Sequence, residues 1–239
     1  KIQDCLTIYQ TSSPSYVLMA SLDKCIRELQ TKGKQKLKSL LITLDKFYEK
    51  VNKLENITVL GRECIGKNEI FDFDICKLVI SINTNKITGK FLEEELREKY
   101  GFEMEMTSAR YVLGMTTMYD NMEQILKLAD ALTEIDSNLN SFYKERVLEE
   151  DRYINYEKIN EADVAMSIYE AKRKETEDMF FLESEGKVSA EYIYVYPPEI
   201  PLVVPGEMIS KKMIEQIDYY KRINLNVKGI ENKKIRVVT

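Results

Sequence analysis

Lys77-Leu78-Val79-Ile80-Ser81-Ile82-Asn83 is the stretch that decides the fold, because it reads as a strand and the residues after it supply its partners. Gly89 ends a turn, and Leu92 and Leu96 mark the inward side of a helix that runs to about Tyr100. Gly101 suits the left-handed residue that closes such a helix. Glu103 to Met106 and Arg110 to Met115 read as two strands with a tight connection. Met122, Ile125, Leu126, Ala129, Leu132 and Ile135 then recur at helical spacing, with Asp120 as the expected cap. Strand-helix-strand-strand-helix is a small α/β layer with its helices on one face of a sheet.

Working outward toward the start, Cys5 to Gln10 reads as a short strand. Ser13 reads as an N-cap with Pro14 at the first helical position, opening a helix to about Gln30. Lys32-Gly33-Lys34 is the expected break before a second helix, Gln35 to about Leu54. On that helix Leu37, Leu40, Leu41, Leu44, Phe47, Tyr48 and Val51 form one broad apolar face. Val59 to Asp72 is irregular and marks a boundary. Toward the end, residues 138–165 are polar and read as helix and connecting loop. Ser167 to Lys174 reads as a helix, with Ser167 and Glu170 at capping-box spacing. Glu183 to Lys187 is a turn and Val188 to Tyr196 a strand. A helix over Lys211 to Lys221 and a last strand over Ile235 to Val238 follow. The expected organisation is therefore residues 1–58, a small α/β domain over 59–150, and a C-terminal region over 151–239.

Composition narrows the chemistry. The 35 basic residues are scattered and the net charge is -5, which speaks against nucleic acid as a partner. No apolar run is long enough to span a membrane, so no membrane partner is expected. The chain has no histidine, so neither a Cys/His zinc site nor a Ser-His-Asp or Cys-His unit can be built from it. Its four cysteines, Cys5, Cys25, Cys64 and Cys76, include no CxxC pair; reduced thiols in the cytoplasm are the expectation. No catalytic residue and no metal ligand is assigned to this chain. The sequence starts Lys1-Ile2-Gln3-Asp4 without an initiator Met, which suggests that it begins inside a longer protein.

Three constellations stand out. Thr11-Ser12-Ser13-Pro14 sets hydroxyls beside the amides of a helix start, where a phosphate can be held; an ordinary Ser/Thr turn reads the same way and is common. Alternation puts Glu103 and Glu105 on one strand face, where they could meet a cationic ligand end or simply be solvated. Tyr196-Pro197-Pro198-Glu199-Ile200-Pro201, continuing to Val204-Pro205-Gly206-Glu207, holds four of the five prolines and reads as a stiff extended segment, either a wall against another domain or a connector packed on a core.

In this order the segments resemble the bacterial ornithine/lysine/arginine decarboxylases, enzymes of the aspartate aminotransferase fold. Thr11-Ser12-Ser13-Pro14-Ser15-Tyr16 with Met19 to Asp23 is similar to the family segment after the cofactor lysine. Asp74 and Lys77, Gly101 to Glu105, Gly186 to Glu191, and the Tyr-Pro-Pro-x-Ile-Pro and Pro-Gly-Glu blocks complete the match. The resemblance implies the end of a pyridoxal 5'-phosphate (PLP) binding large domain, with long helices, followed by a small sheet-plus-helices domain. It implies a cofactor-anchoring lysine upstream of this sequence, hence an N-terminal half as partner, a homodimer or higher assembly, and a small basic amino acid as substrate. Thr11, with Ser12, takes the phosphate contact across the dimer, and Glu105 faces the substrate's distal cation. Alone, the 239 residues are expected to be inactive. One departure is Glu199, where the family has glycine; it implies a different loop or a changed contact. A catalytically silent relative acting through protein interaction is the alternative.

Overall fold

The structure, a computed structural model, describes residues 2–11, 13–84, 87–142, 162–197 and 199–239. It opens with a helix, α1 (Ile2–Tyr9), where a strand over Cys5 to Gln10 is expected. Ile2, Cys5, Leu6 and Tyr9 have the i, i+3, i+4, i+7 spacing of one helix face, a period that a window starting at Cys5 cannot see. Next, α2 (Tyr16–Glu28) runs through one π-helical turn, Leu29–Gly33, into α3 (Lys34–Val51). The expected break at Lys32-Gly33-Lys34 is absent. Gly33 has ordinary helical torsions, φ -56 and ψ -47, and the run is sewn across the turn by the Thr31 hydroxyl donating to Arg27 O at 2.7 Å and by the Lys32–Glu28 ion pair. The π turn absorbs one extra residue, which a helix does more readily than it ends.

The sheet contains the expected strand pairings and adds a short edge strand where the sequence reads as the start of an irregular boundary. Its order is β1 (Ile57–Val59), β2 (Lys77–Ile82), β4 (Tyr111–Met115), β3 (Met106–Thr107), antiparallel throughout. Leu78, Ile80 and Ile82 alternate inward on β2. They meet Leu92 and Leu96 of α4 (Gly89–Tyr100), Leu132 and Leu139 of α5 (Met122–Phe142), and Leu40, Leu44, Phe47 and Val51 of α3 in one core. Gly101 takes the left-handed C-cap, φ 73. Gly89 is there for a different reason: a Cβ on it would stand 2.1 Å from Ser108 O, so α4 can start only where no side chain intervenes.

Asp136 ties this unit together. Its buried carboxylate accepts the backbone N–H of Glu55 at 3.0 Å, Asn56 at 2.8 Å and Ile57 at 3.0 Å, fixing the entry into β1 from α5. Two details differ from expectation. Asn121, not Asp120, caps α5, its side chain accepting from Glu123 N; Asp120 instead closes the preceding turn on Thr117 N. The strand expected over Glu103 to Met106 is reduced to β3, ahead of which Glu105 N still donates to Leu113 O.

The C-terminal part has its own core of Phe181, Ile193, Val203, Ile209, Ile214, Ile217, Ile235 and Val237. It holds a short α6 (Ile168–Ala171), the ribbon β5 (Thr176–Phe180) with β9 (Lys234–Val238), the sheet β7-β6-β8 (Ile200–Val203, Ile193–Val195, Val227–Lys228) and α7 (Lys211–Arg222). Ser167 and Glu170 form the full capping box, but α6 ends at Ala171 rather than Lys174 because β5 starts at Thr176. The strand expected from Val188 is present only over Ile193–Val195, with isolated bridges at Val188 and Ser189. The expected helix and loop over 138–165 lie largely outside the described residues.

Candidate functional site

The helix start comes first. The cap of α2 is Ser15, whose hydroxyl accepts from Leu18 N at 3.4 Å, not Ser13. A residue before proline is pushed toward extended torsions, and here the helix begins at Tyr16, two residues beyond Pro14, instead of on it. Ser13 N donates to Thr11 Oγ1 at 3.3 Å, which draws the Thr11 hydroxyl into the turn. Ser12 lies outside the described residues. Thr11, Ser13 and Ser15 are all exposed, and the amides of Tyr16 and Val17 precede the first intrahelical bond. The donors suit an oxyanion, and the long helical run behind them adds the positive end of its dipole. These residues fit the phosphate end of PLP; the described residues offer nothing assigned to the rest of that cofactor.

Glu103 and Glu105 are exposed, while Phe102 and Met104 pack on the core, so the predicted alternation holds. Neither carboxylate has an ion-pair partner among the described residues. The resemblance implies a half-buried Glu105; in this chain by itself its surroundings are open. No hydrogen bond or ion pair among the described residues links Thr11 to Glu105.

The other acidic motif residues are already engaged. Glu207 accepts Val204 N at 2.8 Å. Glu191 pairs with Arg236 and with Lys172, whose ammonium also donates to Ala190 O at 2.7 Å. Gly206, at φ 95, lets the backbone pass Met166 O, which a Cβ would meet at 2.2 Å. The Pro-Gly-Glu block is thus a structural knot between residues 163–166, 187–189 and 204–209. The proline-rich segment is not extended through its length: β6 and β7 form a hairpin around it, Ile193 opposite Val203, with a cis Tyr196–Pro197 bond. Glu199 sits in that turn at φ 70, its N–H donating to Val195 O at 3.1 Å. A glycine-like backbone is therefore kept although the residue is glutamate.

Among the described residues, the half-buried thiol and phenol are held protonated rather than activated. Burial, then the Asp74 carboxylate, pushes the Cys76 thiol up, so it stays protonated near neutrality. Burial, then Glu63, pushes the Tyr48 phenol up; its hydroxyl donates to Ile75 O at 3.3 Å. No group of three or more His, Cys, Asp or Glu that could hold a metal ion occurs among the described residues. None of the described helices is long and apolar enough to cross a membrane.

Comparison with known proteins fits this geometry. Residues 151–232 match the family described as "Orn/Lys/Arg decarboxylase, C-terminal domain". Over that stretch the chain is similar to the family's C-terminal domain. The "Arginine decarboxylase" of Bacillus subtilis is 30% identical over 238 residues, covering 100% of the chain and 48% of the relative. That of Halalkalibacterium halodurans is 32% identical over 238 residues with the same coverage. The chain thus spans about half the length of these relatives. In fold it is similar to the Francisella novicida lysine decarboxylase (TM-score 0.74, 14% identity, 99% of this chain and 44% of that one) and to the Escherichia coli constitutive lysine decarboxylase (TM-score 0.70, 15% identity, 99% and 45%). The small sheets and helices expected from sequence are observed, in a mixed α/β arrangement similar to that of the lysine decarboxylases.

Proposed function

We propose that the chain is the C-terminal part of a PLP-dependent decarboxylase of arginine, lysine or ornithine, working in the cytoplasm as a homodimer or higher assembly with an N-terminal half that carries the anchoring lysine. The observation that carries this reading is the end-to-end match to arginine decarboxylases, with the hydroxyl loop falling at the open end of a long helix. Bound PLP supplies the electron sink for loss of the substrate's α-carboxylate. Thr11, with Ser12, donates to the cofactor phosphate of the neighbouring subunit, and the first amides of α2 add to that hold. Glu105 pairs with the ammonium or guanidinium end of the substrate, a carboxylate contact that suits all three amino acids. The 239 residues alone decarboxylate nothing.

The test uses the full-length protein. It should take up PLP with a change in cofactor absorbance and release CO2 from at least one of the three amino acids. No absorbance change would sink the enzyme reading. Thr11→Ala should weaken cofactor retention at unchanged Tm. Glu105→Gln should lower kcat/KM for the basic substrate about tenfold or more, the worth of one lost charge-assisted contact, with cofactor retention kept. Unchanged kcat/KM would remove Glu105 from the site.

A further inference from the structure

Among the described residues, β9 is paired on both sides and β5 on one side only. The ladder sets Thr176 opposite Val238 and Phe180 opposite Lys234. At its two ends Thr239 N donates to Glu175 O at 3.1 Å and Phe181 N to Lys233 O at 2.9 Å. Hydrogen-bonded pairs alternate along an antiparallel ladder. Glu177 and Met179 therefore give their backbone groups to β9, while Thr176, Asp178 and Phe180 aim theirs away from it. The far side of β9 agrees, since Ala190 N donates to Arg236 O and Val238 N to Val188 O. Outside β9, the backbone groups of Thr176, Asp178 and Phe180 meet no partner among the described residues. Such an edge accepts another strand.

The side chains say which strand. Phe180 is 51% exposed, and the Lys234 ammonium lies 5.6 Å from its ring centre. Asp178 stands two residues away on the same face. The neighbouring charges are engaged, Glu177 with Lys187 and Arg236 with Glu191. Asp178 and Lys234 form no ion pair among the described residues.

We propose that β5 pairs antiparallel with β5 of a second copy of this chain, Asp178 opposite the copy's Phe180 and Met179 opposite itself on a twofold axis. Charge sets the register. Centring the pair on Asp178 would put two carboxylates face to face, and centring it on Glu177 would do the same, which is unfavourable. Centring on Met179 sets apolar against apolar. It also brings each Asp178 beside the copy's Phe180, with the copy's Lys234 one strand further on the same face. Two strand spacings put those Cα atoms about 10 Å apart, which a lysine stem lying over a phenyl ring can span. The two free charges then pair twice, and both Phe180 rings leave water. A strand from a different protein would have to bring a cation for Asp178 and an anion for Lys234; this chain carries both. The contact is small, so it joins copies reversibly. It does not rest on the decarboxylase reading.

The experiment is sedimentation of the full-length protein over a dilution series. The wild type should show a concentration-dependent doubling of mass. Asp178→Pro should abolish the doubling, because the N–H it removes points away from β9 and the existing ladder is spared. Asp178→Lys should weaken association about tenfold or more, and Asp178→Lys combined with Lys234→Asp should restore it. Met179→Cys brings two thiols together with their Cα atoms about 4.5 Å apart, within disulfide range. Exchange with glutathione disulfide should then link position 179 to itself, two glutathione thiols leaving per bond, as peptide mass identifies. Asp178→Cys should not link to itself. An unchanged Tm verifies folding of each variant. A wild type that never doubles, or a doubling that Asp178→Pro leaves intact, overturns the proposal. So does a charge swap that restores nothing, or a disulfide formed at 178 in place of 179.

Discussion

The helical run from Tyr16 to Val51 has two halves with the same apolar rhythm and opposite environments. Leu40, Leu44, Phe47 and Val51 are 1%, 0%, 0% and 3% exposed; Met19, Leu22, Ile26 and Leu29 are 50%, 64%, 54% and 46% exposed. The second half lies against α5, as Phe47 in the shared core and the Lys50–Asp130 ion pair show, while the first half extends past it. Periodicity therefore announces that a helix has a face to bury and says nothing about what buries it. The difference also separates what holds this unit together from what is left for a partner. A contiguous apolar stripe left in water is a surface that a partner could cover.

The largest effect should come from the covered half. Phe47→Ala removes a fully buried ring and should cost about 3–5 kcal/mol in chemical denaturation, with the lost transfer energy and the cavity both counting. A loss under about 1 kcal/mol would mean that the α3–α5 seam is not the core. Asp136→Asn comes next, at about 2 kcal/mol. Asparagine keeps one oxygen for Asn56 and Ile57, but its NH2 then faces Glu55 N–H, donor against donor. If the loss equalled that of an exposed carboxylate, β1 would be anchored by its sheet pairing and not by α5.

Much of this was readable from sequence wherever the signal is local and periodic. The strand opening at Lys77, the inward pair Leu92-Leu96, the cap Gly101 and the Ser167–Glu170 box all sit as read. Features set across the chain were not readable. Asp136 bonds residues some 80 positions away, and no local pattern distinguishes it from a solvated helix carboxylate. Ser13 and Ser15 are equally good caps by composition, and only the path after Pro14 chooses between them. The hydroxyl loop was legible as a loop; the open setting of Glu105 was not, since alternation gives a face but not its cover. Glu199 is the instructive case. Its chemistry suggested a changed loop, yet the hairpin holds it at φ 70. Glu199→Gly should then stabilise by about 1 kcal/mol by relieving the left-handed strain. A loss on that substitution would show that the carboxylate makes a contact worth more than the strain.

The smallest effect is the one that tests the opening comparison most directly. In the 239-residue chain, Leu22→Ala should change stability by less than about 0.5 kcal/mol, because the side chain already faces water and no cavity forms. In the full-length assembly the same substitution should cost far more if this stripe is covered there, up to the about 2–5 kcal/mol of a buried leucine. Leu44→Ala should cost the same in both. The contrast between the two leucines, measured in both forms, cancels any general fragility of the shorter chain. Equal, small losses for Leu22→Ala in both would leave the first half of the run bare in the assembled protein. The covering surface would then have to be sought on α1, where Ile2, Leu6 and Tyr9 are exposed in the same way.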